Sequence, residues 1–367
     1  MSWQEPFLRW RDRRLADPAF QGWLAGLPLI GALARRKAAQ AFDLCAGFVY
    51  SQVLQACIEV DLLGLVRTGP LSLESIREGT GLPAAGAERL VRAAAALDLL
   101  APRGPGYGLG ETGAALLGNP GVFSMIRHHK LLYEDLVDPV ELLRARRTDT
   151  RLARYWAYAG EAEPGQVKTE SVSDYSDLMA QTQAFIAAEI LHACDFRKSH
   201  HVMDVGGGAG AFLEALGRAH PSLSLTLCDL PGVVPLAETR LTEVFPGREI
   251  RYAGRDMFRD RLPGGADTVT LVRILHDHDD DQIRILLSAI RKALPEFGRL
   301  IIAEPMAATP GAQAMGDAYF GLYLWAMASG RPRSFAEIRC FLNEAGFAHV
   351  RERRSRQPLL TRVIEAL

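Results

Sequence analysis

One stretch of the sequence, Asp204-Val205-Gly206-Gly207-Gly208-Ala209-Gly210-Ala211-Phe212, joins an apolar run to a helical pattern through four glycines. The preceding residues His201-Val202-Met203 complete a short buried β-strand. Glycine is needed where a backbone turns sharply and approaches a ligand without a Cβ in the way. The helix that follows presents its free N–H groups to that ligand. This order of elements predicts a ligand site at the carboxyl edge of a sheet.

Three further apolar runs follow and alternate with helical patterns. The runs are Leu223–Cys228, Thr268–Leu271 and Leu300–Ala303, and the clearest helix spans Gln282–Leu294. Strands that alternate with helices are typical of an α/β fold with a Rossmann-like, doubly wound sheet, whose ligand lies beyond the carboxyl ends of the strands. We assign residues 171–367 to this domain.

Acidic residues near the glycines indicate the class of ligand. Asp204 lies inside the strand, where a nicotinamide dinucleotide site normally has an apolar residue, and its carboxylate suits a cationic amine. Asp229 ends the second strand, where an acid binds ribose hydroxyls. Asp256-Met257-Phe258 offers an acid and an apolar shelf to an adenine ring. Together these describe S-adenosylmethionine; NAD, or a glycine-rich turn with no ligand, is the alternative.

The most informative acidic segment is His276-Asp277-His278-Asp279-Asp280-Asp281. Its composition suggests a metal, but Asp279 and Gln282 have capping-box spacing, and acids at a helix start interact favourably with the helix dipole. We therefore predict no metal site. His276 remains at the strand end, where a neutral histidine can accept a hydroxyl proton if a carboxylate orients its ring. Asp277 and Glu304 are both candidates for that role, and a surface His-Asp turn is the alternative.

The first half of the chain carries helical patterns and one hairpin. Ser72 has the position of an N-cap, Ala87–Leu100 is a helix, and residues 103–108 form a glycine-rich hairpin. Helix, turn, helix and hairpin is the order of a winged helix. Its second helix offers only Arg89 and Arg92 among alanines, too few to neutralise many phosphates. We assign residues 41–170 to a helical winged-helix domain that packs on protein and binds no nucleic acid.

The first forty residues form a separate basic and aromatic arm with a net charge of +4. Its large aromatic residues are Trp3, Phe7, Trp10, Phe20 and Trp23. Such a composition suits a membrane interface, where arginines meet anionic lipid, and it equally suits packing on a partner subunit. A long buried helix is predicted from Ala38 to about Leu63.

Composition excludes several classes of protein. The chain has 367 residues, 48% of them apolar, and a net charge of -1, which excludes a disordered chain and a strongly basic one. The five scattered cysteines predict buried, reduced thiols. We expect no membrane span, because the best candidate, Val49–Val66, is interrupted by Glu59 and Asp61. A cytoplasmic protein is expected, with peripheral contact at the inner membrane through the arm as the alternative.

On these motifs the sequence resembles the class I S-adenosylmethionine-dependent O-methyltransferases that carry an N-terminal winged-helix dimerisation domain. The resemblance covers Pro70–Leu117 and Tyr175–Phe347. It implies a homodimer and a catalytic histidine, His276, followed by Asp277. It also implies two further acids around that histidine, Glu304 and Glu337, the latter in an R-[ST]-x-x-E pattern that begins at Arg333.

The resemblance also assigns residues to the cofactor. The expected cofactor-binding residues are Asp204, Gly206, Gly207, Gly208, Gly210, Asp229, Leu230, Asp256, Met257, Phe258 and Arg273. Two positions depart from the family pattern. His278 stands where the family usually has tryptophan, and Arg273 stands where lysine is frequent.

Four segments look more narrowly like members of the family that act on carotenoids. They are Phe48–Gln52, His276–Asp280, Glu304–Met306 and Gly316–Phe320. The expected reaction is methylation of the tertiary 1-hydroxyl of an acyclic carotenoid, with Met179, Phe320, Tyr323 and Met327 against the hydrocarbon. This apolar wall equally fits a subunit interface. A bacteriochlorophyllide or an aromatic polyketide is the alternative substrate, and a DNA-binding regulator that senses S-adenosylmethionine is the alternative of another class.

Overall fold

The computed structural model describes residues 4–28, 30–146, 148–156, 183–359 and 361–367. The chain forms two compact units, Met1–Gly118 and Asn119–Leu367. Residues 119–156 therefore group with the sheet and not, as the sequence analysis expects, with the N-terminal helices. One reason is visible at Thr150, whose hydroxyl donates to the Ala326 carbonyl at 2.6 Å. The expected boundary at residue 170 lies outside the described residues.

The first unit is mainly helical. Its elements are α1 (Gln4–Leu15), α2 (Pro18–Gly26), α3 (Gly31–Glu59), α4 (Leu62–Leu65), α5 (Leu73–Thr80), α6 (Ala84–Ala96), β1 (Leu100–Arg103), β2 (Gly106–Leu109) and α7 (Glu111–Leu117). Ser72 caps α5, its hydroxyl accepting from the Ser75 N–H at 3.1 Å, as predicted. β1 and β2 form the predicted antiparallel hairpin. The predicted winged-helix order is thus confirmed.

Helix α3 differs from its prediction in extent and in exposure. It begins at Gly31, so the expected arm boundary at residue 40 falls inside a continuous helix. It is also largely exposed, with Leu44 at 88% and Phe48 at 71%. By length and composition alone it could cross a membrane, with a mean hydropathy of 1.3 over 18 residues, a property that an apolar helix packed on protein shares.

The cysteine prediction also needs correction. Cys57, Cys194 and Cys228 are buried, whereas Cys45 and Cys340 are exposed. All five are free thiols. The two exposed residues lie on the outer faces of their helices, where helical periodicity leaves them outside the core.

The second unit begins with helices and continues into a sheet. The helices before the sheet are α8 (Pro120–Asp135), α9 (Pro139–Arg144), α10 (Arg151–Tyr155) and α11, which covers residues 183–193. The alternating part contains β3 (His201–Val205), α12 (Ala211–Ala219), β4 (Ser224–Asp229), α13 (Val234–Val244), β5 (Ile250–Gly254), β6 (Thr268–Val272), α14 (Asp280–Ala293) and β7 (Arg299–Glu304). It ends with a π-helix (Ala314–Tyr319), α15 (Phe320–Met327), α16 (Phe335–Glu344), β8 (Val350–Arg353) and β9 (Arg362–Ala366).

The sheet has seven strands in the order β5-β4-β3-β6-β7-β9-β8. The pairs from β5 to β7 are parallel, and β9 is antiparallel to both of its neighbours. The four predicted strands are confirmed, β3 at both ends and the others within a residue. Strand order reverses beside β3, which brings the carboxyl ends of β3, β4 and β6 to one crevice, the usual ligand position in such sheets.

Two apolar layers enclose this sheet, one on each face. Met203 and Val205 pack in one layer with α14 and α16, and Val202 packs in the other with α11 and α12. This alternation follows from the period of two along a strand. Buried on both sides, the central strands hold their carboxyl ends rigidly, and the side chains at that edge are positioned by the core.

Candidate active site

A cavity of about 440 Å³ lies at the carboxyl ends of β3, β4 and β6. Ten predicted cofactor residues line it: Asp204, Gly206, Gly207, Gly208, Asp229, Leu230, Asp256, Met257, Phe258 and Arg273. The eleventh, Gly210, is the N-cap of α12, with a φ of 77°. The sheet thus brings together residues that span seventy positions of sequence.

The glycine turn leaves room that no other residue would leave. Gly206 has a φ of 71°, in the left-handed region that favours glycine, and a Cβ there would collide with the Ile274 side chain. Gly208, with a φ of 56°, donates its N–H to Asp229 Oδ2 at 2.7 Å. The turn is therefore tied to the end of the neighbouring strand.

Asp204 is a buried acid that faces this cavity. Its side chain is 1% exposed, and one oxygen accepts from the Thr270 hydroxyl at 2.6 Å. Burial raises the pKa of Asp204 to about 7. A carboxyl group so far from water is stabilised in its charged form when a cation binds beside it.

Asp229 ends β4 on the opposite side of the glycine turn. Its two oxygens accept from the N–H groups of Gly208 and Leu230, each at 2.7 Å. Burial raises the pKa of Asp229 to about 6. Each carboxylate oxygen retains a second lone pair, so the side chain can still accept from two neighbouring hydroxyl groups.

The third part of the cavity wall is apolar. Met257 and Phe258 lie there, and the Asp256 carboxylate accepts from the Phe258 N–H at 2.9 Å, which fixes the loop. The Phe258 ring meets the His278 ring edge to face, with 4.7 Å between centroids. Burial lowers the pKa of His278 to about 3, so this ring is neutral and takes the place of an aromatic side chain. The wall fits a flat heterocycle.

His276 lies just beyond the cavity, on one turn of 3₁₀-helix that spans Leu275–Asp277. Its Nδ1 contacts Glu304 Oε2, while Glu304 Oε1 accepts from the N–H groups of Ile274 and Leu275 at 2.8 and 2.7 Å. A single buried carboxylate therefore holds both the ring and the turn. Of the two acids left open by the sequence, Glu304 is the one that orients His276 through Nδ1.

Asp277 occupies the other side of the ring and lines the cavity. Its Oδ1 lies 3.1 Å from His276 Nε2 but makes no hydrogen bond among the described residues. Burial opposes protonation of His276, but the carboxylates of Asp277 and Glu304 outweigh burial and raise the pKa of His276 above its ordinary value. Burial also raises the pKa of Asp277, to about 6. His276 and Asp277 thus form a buried imidazole–carboxylate pair beside the cavity.

Three of the four residues predicted to contact the substrate lie close to this pair. The Phe320 ring lies edge to face with His276 at 5.8 Å, Tyr323 is buried, and Met327 lines the cavity. Met179, the fourth residue of this prediction, lies outside the described residues. Phe320, Tyr323 and Met327 all lie on α15, directly after the π-helix, a rare element that is frequent at functional sites.

Glu337 is the one predicted catalytic acid that the structure does not bring to His276. One of its oxygens accepts from the Ser334 N–H at 2.9 Å in the capping box of α16, and the other pairs with Arg331 at 2.7 Å. No hydrogen bond or ion pair joins it to His276 among the described residues. The S-x-x-E part of the R-[ST]-x-x-E pattern also has the spacing of a capping box, and Glu337 makes that capping contact here.

The sequence analysis missed several residues of the site. Trp156 and Gln183 line the cavity, and Gln183 accepts from Arg273 Nη2 at 2.8 Å. His128 and His129 contact the hydroxyl groups of Tyr323 and Tyr319 at 2.8 and 2.7 Å. No local sequence pattern indicates these contacts, because each of them joins segments that are far apart in the chain. No group of three metal-ligating side chains occurs in the described part of the chain.

Family comparisons assign the class of protein. The family model for the O-methyltransferase domain matches residues 133–348, and the model for the O-methyltransferase dimerisation domain matches residues 42–119. The chain belongs to the O-methyltransferase family, which uses S-adenosylmethionine as methyl donor. Its match to the dimerisation domain supports a homodimer. The same match favours dimerisation over DNA binding for the winged helix.

Comparison with individual proteins narrows the similarity to particular members of the family. The chain is 41% identical to demethylspheroidene O-methyltransferase of Cereibacter sphaeroides over 326 residues, covering 89% of this chain and 86% of the relative. It is 40% identical to the enzyme of that name from Rhodobacter capsulatus, covering 93% of this chain and 84% of the relative. Human N-acetylserotonin methyltransferase, solved in complex with SAM, shares the fold, with a TM-score of 0.72 at 22% identity over 90% of this chain and 97% of that chain.

The cavity fits this cofactor. Asp204 would meet the amine of its methionyl part, Asp229 the ribose hydroxyls, and the wall of Met257, Phe258 and His278 the adenine ring. Burial raises the pKa of both acids, and an ammonium group bound beside Asp204 would lower its pKa again and favour the carboxylate.

Proposed function

We propose that this chain methylates the tertiary 1-hydroxyl group of an acyclic carotenoid. The observation that carries the substrate class is the identity of 40–41% to two demethylspheroidene O-methyltransferases over about nine-tenths of the chain. The apolar wall formed by Phe320, Tyr323 and Met327 supports a long hydrocarbon as substrate.

The catalytic residue in this proposal is His276, acting as general base. Bound S-adenosylmethionine supplies an electrophilic methyl group. His276 Nε2 accepts the hydroxyl proton while oxygen attacks, and Glu304 holds the ring by Nδ1, which leaves Nε2 on the side of Asp277 and the cavity that Asp277 lines. Asp277, 3.1 Å from Nε2, stabilises the imidazolium that results. A tertiary alkanol is a weak acid, so base assistance should matter more here than for a phenol.

A substrate panel tests the proposal. The purified protein is incubated with methyl-labelled S-adenosylmethionine and, separately, with 1-hydroxycarotenoids, chlorophyllides and hydroxylated aromatics. We expect label in a carotenoid methyl ether, and a rate of labelling at least about a hundredfold lower when the H276A variant replaces the wild type. If only a tetrapyrrole or only an aromatic product carries label, that compound class is the substrate and the carotenoid proposal is wrong. If no compound of the three classes carries label, the proposal is overturned.

We also propose that helices α1 and α2 contact an anionic membrane surface. None of the residues of these two fully described helices is buried, and Phe7, Trp10 and Trp23 are 59%, 50% and 59% exposed. Helix α1 carries four arginines against two acids, and its position precedes the matched dimerisation domain. Basic and aromatic side chains on one exposed segment suit a lipid surface and a membrane-dissolved substrate.

Vesicle sedimentation separates this proposal from packing on a partner subunit. Binding to vesicles with phosphatidylglycerol should exceed binding to neutral phosphatidylcholine vesicles, and a W10A/W23A variant should lose it while remaining a dimer. Loss of the dimer in that variant with unchanged vesicle binding would assign the arm to the subunit interface instead.

A further inference from the structure

Arg333 begins the motif whose acid, Glu337, does not reach His276. It is one of the largest fully buried side chains in the described part of the protein, at 2% exposure. Burying a guanidinium group is costly unless its donors are satisfied. The partners of this arginine therefore show what its burial achieves.

Two of those partners are backbone carbonyl groups on either side of the proposed base. Arg333 Nη1 donates to the Leu275 carbonyl at 2.6 Å, and Nη2 donates to the His278 carbonyl at 2.7 Å. Nη2 and Nε also donate to Asp280 Oδ1, at 2.6 and 3.0 Å. The planar fork of one guanidinium thus spans the turn that carries His276 and Asp277 and ties it to the start of α14.

The carbonyl groups of this turn need such a donor. The 3₁₀ turn ends at Asp277, His278 is extended, and α14 begins at Asp280, so the turn does not continue into a helix. The Leu275 carbonyl accepts one long backbone bond, from the His278 N–H at 3.4 Å, and keeps capacity for a stronger donor. Ser329 completes the arrangement by donating to the Asp277 carbonyl at 2.6 Å. Gly330, with a φ of 71°, packs so closely that a Cβ would overlap the His276 carbonyl oxygen.

Arg333 is also joined to the strand that bears Glu304. The Ala307 N–H, three residues beyond Glu304, donates to the Arg333 carbonyl at 3.0 Å. Glu304 holds the turn from its start, through the N–H groups of Ile274 and Leu275, and Arg333 holds its end through carbonyl groups. The turn is clamped between the two.

We propose that Arg333 is a positioning residue that holds His276 against Glu304 through the backbone of the 275–278 turn. This inference rests on the proposed role of His276 as the base. Arg333 contacts the turn and not the reacting atoms, so it acts through the direction of the imidazole ring. A lysine at this position keeps the charge but lacks the fork that joins both carbonyl groups.

The test compares R333K and R333A with a neighbouring control, R331M. Arg331 shares Asp280 with Arg333, at 3.1 Å, but its side chain is 42% exposed and pairs with the carboxylates of Asp280 and Glu337. We expect kcat to fall by about 10- to 100-fold in R333K and further in R333A, the scale lost when a general base is misplaced. R331M should stay within about twofold of wild type, the range of a surface change.

Two readouts distinguish positioning from general loss of structure. In R333A, about 20 mM guanidinium ion should restore part of the lost kcat by filling the vacated site, whereas it should not raise the activity of R331M. In protein with ¹⁵N-labelled histidine and no ligand, the His276 resonances should titrate at lower pH in R333K than in wild type, because the ring has left its two carboxylates.

The outcomes separate this inference from the proposed function. A folded R333K with wild-type kcat and a wild-type His276 titration overturns the clamp. If R333A does not fold, the kcat of R333K and the titration of His276 in that variant still test whether Arg333 positions His276. Full turnover in H276A would instead overturn the proposed base, and the titration of His276 in R333K would still report on the clamp.

Discussion

His276 contacts a carboxylate at each ring nitrogen, and this arrangement sets the chemistry at the scale of single residues. Glu304 at Nδ1 fixes the tautomer, which leaves Nε2 as the acceptor. Asp277 beside Nε2 favours the protonated ring, at a cost, because the base must first be neutral to accept a proton. The same contacts therefore strengthen the base and limit the pH range in which it works.

Removal of the base should affect turnover far more than cofactor binding. In H276A we expect kcat to fall by about 10²–10⁴-fold, the usual contribution of a positioned general base. Affinity for S-adenosylmethionine, measured by calorimetry, should remain nearly unchanged, because the glycine turn and Asp229 are intact. H278A should lose less turnover, since its ring lies against Phe258. Loss of cofactor binding in H276A would identify His276 as an adenosyl contact instead.

The pH profile should report the raised pKa of His276. The active form is the neutral ring, so kcat should rise with pH, and its midpoint should lie above the ordinary histidine value of about 6.5. In E304Q one of the carboxylates that raise the pKa is absent, so the midpoint should move to lower pH. A wild-type midpoint at or below the ordinary value would contradict this account of the site.

At the scale of secondary structure elements, capping residues and turns determine which side chains reach the cavity. Asp279 and Gln282 form the predicted capping box at the start of α14. Ser334 and Glu337 form a second capping box at the start of α16, which the sequence analysis interpreted as a catalytic acid. Both boxes look alike in sequence, because the signature specifies a helix start and carries no information about which cavity lies nearby.

Glu337 provides a test of this distinction. In E337A we expect the free energy of unfolding to fall by about 1 kcal/mol, the typical contribution of a helix cap, with kcat within about twofold of wild type. Chemical denaturation and steady-state kinetics on the same preparation measure both. A hundredfold loss of kcat with unchanged stability would restore the catalytic role implied by the family resemblance.

At the scale of the whole molecule, the exposed apolar face of α3 is the natural surface for a second copy of the chain. Leu44 and Phe48 are one helical turn apart and are 88% and 71% exposed, within the region matched by the dimerisation domain. An apolar patch of this kind marks an interaction site on a soluble surface.

Substitution on this face should therefore weaken the dimer. We expect L44S/F48S to shift the mass measured by light scattering towards that of one chain, 40.2 kDa, at micromolar concentration. Phe297 is 90% exposed in the second unit and offers a matched control, because F297S removes a large apolar side chain outside the dimerisation domain. An unchanged mass for L44S/F48S would place the interface elsewhere.

Local patterns were sufficient to predict four of the seven strands of the sheet, the glycine turn and the cavity acids. Asp204, Asp229 and the glycines lie at strand ends or directly after them, and parallel strands bring such residues to one edge whatever the details of packing. His276 and Asp277 were found in the same way. These features depend on periodicity and chain order, which the amino-acid sequence contains in full.

The tertiary structure alone decided which distant side chains meet at that edge. Glu304 reaches His276 across 28 residues, and Arg333 reaches the Leu275 carbonyl across 58, while Glu337, four positions further on, turns to its own helix end. The order of strands in the sheet and the path of the chain after β7 determine which of these side chains come close to the His276 turn. No short-range pattern encodes them, because they depend on how whole elements pack against each other.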